Sequence, residues 1–282
     1  MTVDTVVKLP VIAFLGAGSM SGAILSGLLR PGVEVEGIRA TNRTTAKAEA
    51  LAALPGVTSY STETDASANR DAVAGARVVV VGVKPAMVPD LLREIADALE
   101  PGTLVISVAA GVTVATFESI LPEHVSVVRT MPNTPAIVGR AVTGVAAGLR
   151  SSDDDLALAV SLFETVGEVL VVPESKLDAL STISGSGPAY VFYLIEQLTA
   201  TAIDLGFTPE EAARMVQGTF RGASELLAAE HVEPTELRRR VTSPKGTTER
   251  AIAVLEEASL KATFDSATQA ALARARELAA GA

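Results

Sequence analysis

The stretch that most restricts the fold is Val11-Ile12-Ala13-Phe14-Leu15, followed at once by Gly16-Ala17-Gly18-Ser19-Met20-Ser21. An unbroken apolar run with β-forming residues describes a strand covered on both faces, as strands of a parallel sheet are. A helical pattern then runs through Ala23, Ile24, Leu28 and Leu29. Strand, glycine turn and helix in that order form the seat of a dinucleotide pyrophosphate. Gly16 permits the tight turn, and Gly18 lets the phosphates approach the backbone at a helix N-terminus. Ser21 takes the third position, where glycine is commoner, and its small side chain still allows close helix–strand packing.

The next strand is read at Val33 to Ala40, ending in Thr41-Asn42-Arg43. A fold of this kind that prefers NAD carries an acidic residue here to grip the ribose hydroxyls. This chain offers Arg43 instead, about 25 residues beyond the glycine turn, with Asn42 and Thr44 as hydrogen-bonding neighbours. That set suits a 2′-phosphate, so NADPH is the expected cofactor, with NADH as the alternative. Further strands are expected at Val78–Val83, Leu104–Val108, Val125–Arg129, Val142–Ala147 and Val169–Val172. The first three end in Lys84-Pro85, Ala109-Ala110-Gly111 and Met131-Pro132-Asn133-Thr134-Pro135. Loops at the carboxyl ends of parallel strands line the ligand crevice, which places Lys84 beside a cofactor or substrate anion. A helix from about Asp153 to Phe163, capped by Ser151 or Ser152, separates the last two strands, and Pro173 closes the domain.

After Pro173 helical periodicity takes over. Ser184-Gly185-Ser186-Gly187-Pro188 reads as a close backbone approach introducing a helix from about Ala189 to Leu205, which Gly206 terminates. Thr208-Pro209-Glu210-Glu211 is a capping box with proline at the first helical position. The helix it starts runs to about Glu230 with a long apolar face of Ala212, Val216, Phe220 and Leu227. So much apolar helix in so small a domain implies a dimer sharing one core. Next comes Val241-Thr242-Ser243-Pro244-Lys245-Gly246-Thr247-Thr248, where proline and glycine interrupt regular helix before the run Ala251, Ile252, Leu255. Thr247 or Thr248 is expected to cap that helix. By itself such a turn reads as an ordinary cap, but it also presents amides and hydroxyls suited to a carboxylate. The last helix is read from about Ser266 to Ala279.

Composition removes several function classes. The 282 residues include no cysteine, so disulfides, thiolate nucleophiles and Cys-type zinc sites are absent, and no metal site is expected. Neither His124 nor His231 sits in a ligand pattern. A net charge of −10 argues against general nucleic-acid binding. No apolar stretch reaches membrane-spanning length and no cleavage pattern follows Val11–Leu15, so a cytoplasmic location is expected.

Together the motifs resemble those of pyrroline-5-carboxylate reductase, over essentially the whole chain. The matching blocks are Gly16 to Met20, Val83-Lys84-Pro85, Ala109-Ala110-Gly111, Met131 to Pro135, Ser184 to Tyr190 and Val241 to Thr248. The last is the most specific, and Lys245 stands where the family often has glycine. The resemblance implies an α/β N-terminal Rossmann-type parallel-sheet domain (residues 1–173) followed by an all-α C-terminal substrate-binding and dimerisation domain (residues 174–282). It implies a homodimer, with larger rings of dimers up to a decamer. Cofactor contacts carry over to Leu15, Gly16, Ala17, Gly18, Ser19, Met20, Asn42, Arg43, Asn69, Val83, Lys84, Pro85, Val108, Ala109, Ala110 and Glu174. Asn69 enters on the resemblance alone, from its place fifteen residues before Lys84, and Glu174 enters in the same way. Substrate contacts carry over to Val241, Thr247 and Thr248. A family asparagine before that valine falls on Arg240, and an acidic residue falls ambiguously on Glu230 or His231.

The implied reaction is hydride transfer from NADPH to the C=N carbon of 1-pyrroline-5-carboxylate, giving L-proline. A protonated imine is already a good hydride acceptor, so the protein has chiefly to align donor and acceptor. That suits a chain without His or Cys catalysts. Thr248 is expected to hydrogen-bond the imine nitrogen, with the amides of Gly246 and Thr247 holding the carboxylate. Two rivals share the two-domain plan. A β-hydroxyacid dehydrogenase would need an acid–base lysine, which Lys176 could imitate, but Lys176 precedes the glycine–serine run at the domain junction and reads as a surface residue. An NADP sensor would need no second, carboxylate-sized site.

Overall fold

Adjacent residues in the apolar strands point into two separate cores, which fixes a sheet covered by helices on both faces. Ile12, Phe14, Val78, Val80, Leu104 and Ile106 join Ile24, Leu28, Leu162 and Phe163 on one face. Ala13, Leu15, Val79, Val81 and Val105 join Leu92, Ile95 and Phe117 on the other. The computed structural model describes residues 6–279. Its strands are β1 (Val7–Leu15), β2 (Val33–Asn42), β3 (Val57–Ser61), β4 (Val78–Val81), β5 (Leu104–Ser107), β6 (Ser126–Met131), β7 (Ala141–Ala147) and β8 (Gly167–Val171). They form one sheet in the order β3-β2-β1-β4-β5-β6-β7-β8. The first six follow the Rossmann order, with the switch point between β1 and β4. Helices α1 (Ser19–Leu28), α2 (Thr45–Ala52), α3 (Ala68–Val73), α4 (Val88–Ile95), α5 (Val114–Ile120) and α6 (Asp153–Glu164) make the connections. Ser152 caps α6, its hydroxyl accepting from the Asp155 amide while the Asp155 carboxylate reaches back to the Ser152 amide.

The sheet departs from an all-parallel one at a single pair: β7 runs antiparallel to β6. Only residues 132–140 join these strands, and they hold one 3₁₀ turn, Thr134–Val138. That is too short for a crossover helix, so the chain must fold straight back.

Residues beyond Pro173 still pack on the sheet. After a 3₁₀ turn at Glu174–Lys176 come α7 (Leu177–Leu180) and a π-helical turn, Ser181–Gly185. Leu177 is buried, and a side chain at Gly144 of β7 would meet it at 2.8 Å. The chain accordingly parts into compact units at Ser186 rather than at Pro173. The glycine–serine run is itself helical: the Ser186 amide donates to Ser181 O (2.9 Å), a five-residue closure.

The second unit, Gly187–Ala270, is helical: α8 (Gly187–Asp204), α9 (Pro209–Glu230), α10 (Pro234–Arg240), α11 (Thr247–Glu257) and the first part of α12 (Leu260–Ala279). Thr208 and Glu211 form the expected capping box at the start of α9. Only Ala202, Ala212 and Val216 are buried among the described residues of this unit. Phe192 (66% exposed), Tyr193 (61%) and Val254 (65%) lie open. A unit with so small a core of its own leaves its apolar faces for a partner.

Candidate active site and dinucleotide crevice

The glycine turn sits at the carboxyl end of β1, beside the switch point. Gly16 has φ +79°, and a side chain there would meet Val83 Cγ1 at 2.6 Å, so only glycine serves. The end of β2 holds the turn: Thr41 Oγ1 accepts from the Gly16 amide (3.3 Å) and Thr41 O from the Ala17 amide (3.0 Å). Gly18 is the N-cap of α1 with no side-chain cap, leaving the Ser19 and Met20 amides without an acceptor among the described residues. These are the donors a pyrophosphate needs.

Serine in the third motif position has a structural answer. Ser21 is fully buried and its hydroxyl donates to Gly16 O (3.2 Å). Directly opposite is Gly82, where an added Cβ would stand 2.1 Å from that hydroxyl oxygen. The close helix–strand approach that a glycine usually provides on the helix is provided here by a glycine on the strand end.

A cavity of about 400 Å³ extends from this turn, lined by Gly16, Asn42, Arg43, Thr62, Asn69, Val83 and Glu94 among others. Asn42 is 6% exposed and its Nδ2 has no hydrogen-bond partner. A buried unpaired donor at the end of β2, next to the exposed Arg43, is what a bound phosphate would satisfy. The residues fit a phosphorylated dinucleotide. Asn69 on α3, which gave no signal of its own in the sequence, lines the same cavity and donates to Glu94 on α4. Lys84 and Pro85 follow β4, with Lys84 exposed. Val108, Ala109 and Ala110 follow β5, and the Ala109 amide is anchored on Ser107 Oγ (3.2 Å).

Lys84, Pro85, Ala110, Gly111, Arg129 and Met131 line a second cavity at the carboxyl ends of β4, β5 and β6. Arg129 in its wall is almost wholly buried and pairs with Glu174 (3.2 Å) and Asp178 (2.6 Å). The same Glu174 oxygen, Oε1, accepts from the Val114 amide at the start of α5 (2.8 Å). Glu174 thus joins the β6 end to the α5 N-terminus, a link sequence reasoning missed because its partners lie 45 and 60 residues away. Lys176 is exposed at the start of α7.

In the second unit, α10 and α11 flank the loop 241–246 and are bridged by Arg238 and Glu256 (2.9 Å). Neither threonine is the N-cap of α11: Gly246 is, with Thr247 and Thr248 at the first two helical positions. The expectation for Gly246 also changes. Its amide donates to Ser243 O (3.0 Å) and so is not free for a ligand, while the 2.9 Å a Cβ would have to Ser243 O explains the glycine. The free donors are the amides and hydroxyls of Thr247 and Thr248, which have no acceptor among the described residues, and both side chains are exposed. Lys245 has φ +61°, the left-handed conformation natural to glycine, and its amide donates to Glu249 Oε2 (2.9 Å). Val241 is exposed at the end of α10. Arg240 pairs with Glu230 (2.9 Å) and Glu236 (3.0 Å). The guanidinium groups of Arg239 and Arg240 hold the Glu236 carboxyl down to about 2.

Residues 174–278 match the family model "Pyrroline-5-carboxylate reductase dimerisation", and residues 11–111 match "NADP oxidoreductase coenzyme F420-dependent". A pyrroline-5-carboxylate reductase of Pseudomonas aeruginosa is 39% identical over 96% of this chain and 97% of its own. The structure of a pyrroline-5-carboxylate reductase from Coxiella burnetii superposes with a TM-score of 0.88 at 38% identity, covering 95% of this chain and 97% of that one. A Plasmodium falciparum pyrroline carboxylate reductase solved with NADP bound has the same fold, with a TM-score of 0.80 at 24% identity over 98% and 99% of the two chains.

Proposed function

The chain belongs to the pyrroline-5-carboxylate reductase family, and on that premise we propose how its residues share the work of reducing 1-pyrroline-5-carboxylate to L-proline. It is an NAD(P)H-dependent oxidoreductase acting on a C=N bond, the last step of proline biosynthesis. The dinucleotide supplies the hydride when bound. Ser19 and Met20 offer amides to its pyrophosphate, and Asn42 Nδ2 and Arg43 its 2′-phosphate. Lys84 adds a cation at the mouth of the crevice, and Val108 to Ala110 form the small-residue wall beside it.

The observation that carries the substrate assignment is the start of α11. Two adjacent threonines present unpaired amides and exposed hydroxyls at the positive end of an 11-residue helix. The amides of Thr247 and Thr248 bind the carboxylate, and the Thr248 hydroxyl holds the imine nitrogen. A threonine hydroxyl is a poor acid, so its part is to orient the nitrogen and relay a proton from water. Gly246 shapes the turn and Val241 closes it on the apolar side. The helical region from residue 174 supplies both this loop and the dimer contact, and we take the assembly to be a homodimer that builds toward a decamer in the cytoplasm. No helix among the described residues is long and apolar enough to cross a membrane.

The test is to follow NADPH oxidation with and without 1-pyrroline-5-carboxylate, then repeat it with NADH. Imine-dependent oxidation yielding proline is the expected result. Binding of NADPH with no imine-dependent turnover would instead describe a sensor.

A further inference from the structure

We propose that Glu94 is a positioning residue that makes the crevice select a base carrying an exocyclic amine, that is, an adenine dinucleotide over its 6-oxo counterpart. Asn69 Nδ2 donates to both Glu94 oxygens, at 3.0 and 3.2 Å. A carboxylate can only accept, so it fixes which way the Asn69 amide faces. An unrestrained asparagine presents a donor or an acceptor to a ligand by turning over. Asn69 is denied that choice, and its Oδ1, without a partner among the described residues, is the atom left to offer.

The cavity is therefore polarised. Its β2 end carries donors, the unpaired Asn42 Nδ2 and the Arg43 guanidinium, while its α3–α4 end carries acceptors, Asn69 Oδ1 and Glu94. An anionic phosphate is drawn to the first end and repelled by the second. Beside the acceptors stand Val83, Met87 and Leu91, an apolar wall suited to desolvating a flat heterocycle. The edge of a base against such a wall has to offer an N–H to Asn69 and Glu94. A 6-amino group does so. The 6-oxo base has its edge N–H only at N1, and where the amine stood it sets an acceptor against an acceptor, a mismatch that binding sites reject.

The inference rests on the dinucleotide reading of this crevice, and equilibrium binding separates the two. The full-length chain is titrated with NADPH and with its hypoxanthine analogue, in which a 6-oxo group replaces the amine. Binding should favour NADPH on the order of tenfold. In Glu94→Leu, where Asn69 is free to turn, the ratio should fall to within about threefold. Asp90→Asn removes a carboxylate from the same cavity without touching Asn69; it should strengthen both ligands and leave the ratio intact. Equal binding of the two dinucleotides by the unaltered chain would overturn the proposal, as would a Glu94→Leu variant that keeps the tenfold ratio. A fall in the ratio in Asp90→Asn would assign the selectivity to charge, and uniform weakening of both ligands in Glu94→Leu would assign the acceptors to a ribose hydroxyl; either result contradicts the proposal. Failure of NADPH itself to bind would overturn the cofactor reading along with it.

Discussion

The exchange of Ser21 for glycine across the β4 end makes a quantitative prediction. A methyl at position 82 would stand 2.1 Å from Ser21 Oγ and 3.0 Å from Gly16 O. In Gly82→Ala the hydroxyl must swing away and give up its bond to Gly16 O, a loss of about 1 kcal/mol. The remaining overpacking adds about 1–2 kcal/mol, for a total of about 2–3 kcal/mol. Ser21→Ala alone should cost about 1 kcal/mol, the same hydrogen bond. In the double variant the atom that clashed hardest is gone, the Cβ–Cβ separation of 3.5 Å is an ordinary contact, and only the 3.0 Å approach to Gly16 O stays tight. The double variant should therefore be destabilised by about 1–2 kcal/mol, below the roughly 3–4 kcal/mol sum of the singles by about 2 kcal/mol. Urea unfolding of the four proteins measures this coupling, and an NADPH titration of each shows whether the displaced turn also weakens pyrophosphate binding. Single-variant effects that add to within about 0.5 kcal/mol would refute the reasoning.

Arg43→Ala should lower the NADPH-to-NADH ratio of kcat/KM by about tenfold, the loss of a charged hydrogen bond to the 2′-phosphate; an unchanged ratio would rule out that contact. Burial by itself would raise the Asp155 carboxyl, but Arg77 and the Ser152 amide and hydroxyl outweigh it and hold it at about 2, below the ordinary 3.8. Its folded value is thus the lower one, so its contribution of about 2 kcal/mol is complete above about pH 4 and is lost as the pH falls toward 2. Asp155→Asn should flatten the pH dependence of urea unfolding in that window, and a profile with its original slope would contradict the pairing. Charging the open apolar faces of α8 and α9 together, as Phe192→Glu with Leu226→Glu, should move sedimentation from an oligomer toward the monomer. An unaltered assembly would mean these faces are not the contact.

The Rossmann half was legible because parallel strands buried on both faces are written as plain apolar runs. The strand expected at Val78–Val83 is found at Val78–Val81, and the α6 cap left between Ser151 and Ser152 falls on Ser152. The capping box at Thr208, where two side chains three apart declare a helix start, stands as expected. β3 was missed: Val57-Thr58-Ser59-Tyr60-Ser61 is a polar edge strand, with little of its surface buried to leave a pattern. The antiparallel β7 was hidden because strand runs carry no sign of direction; only the length of the connection does. The glycine–serine run read as a loop because both residues are weak helix formers, yet packing of Leu177 and Leu180 against Gly144 carries the helix through it. The cap of α11 was misassigned between residues of equal capping chemistry. Gly246 takes the position because the chain passes too close to Ser243 O for a side chain. Asn69, Glu94 and the Arg129–Glu174 pair depend on long-range contacts and leave no local mark.

Whether the α11 N-terminus holds the imine is decided by steady-state kinetics of Thr248→Ala against 1-pyrroline-5-carboxylate at saturating NADPH. The kcat should fall on the order of tenfold to a hundredfold, because a positioning contact and proton relay are lost while hydride transfer itself survives. A variant with kcat and KM unchanged would contradict that contact.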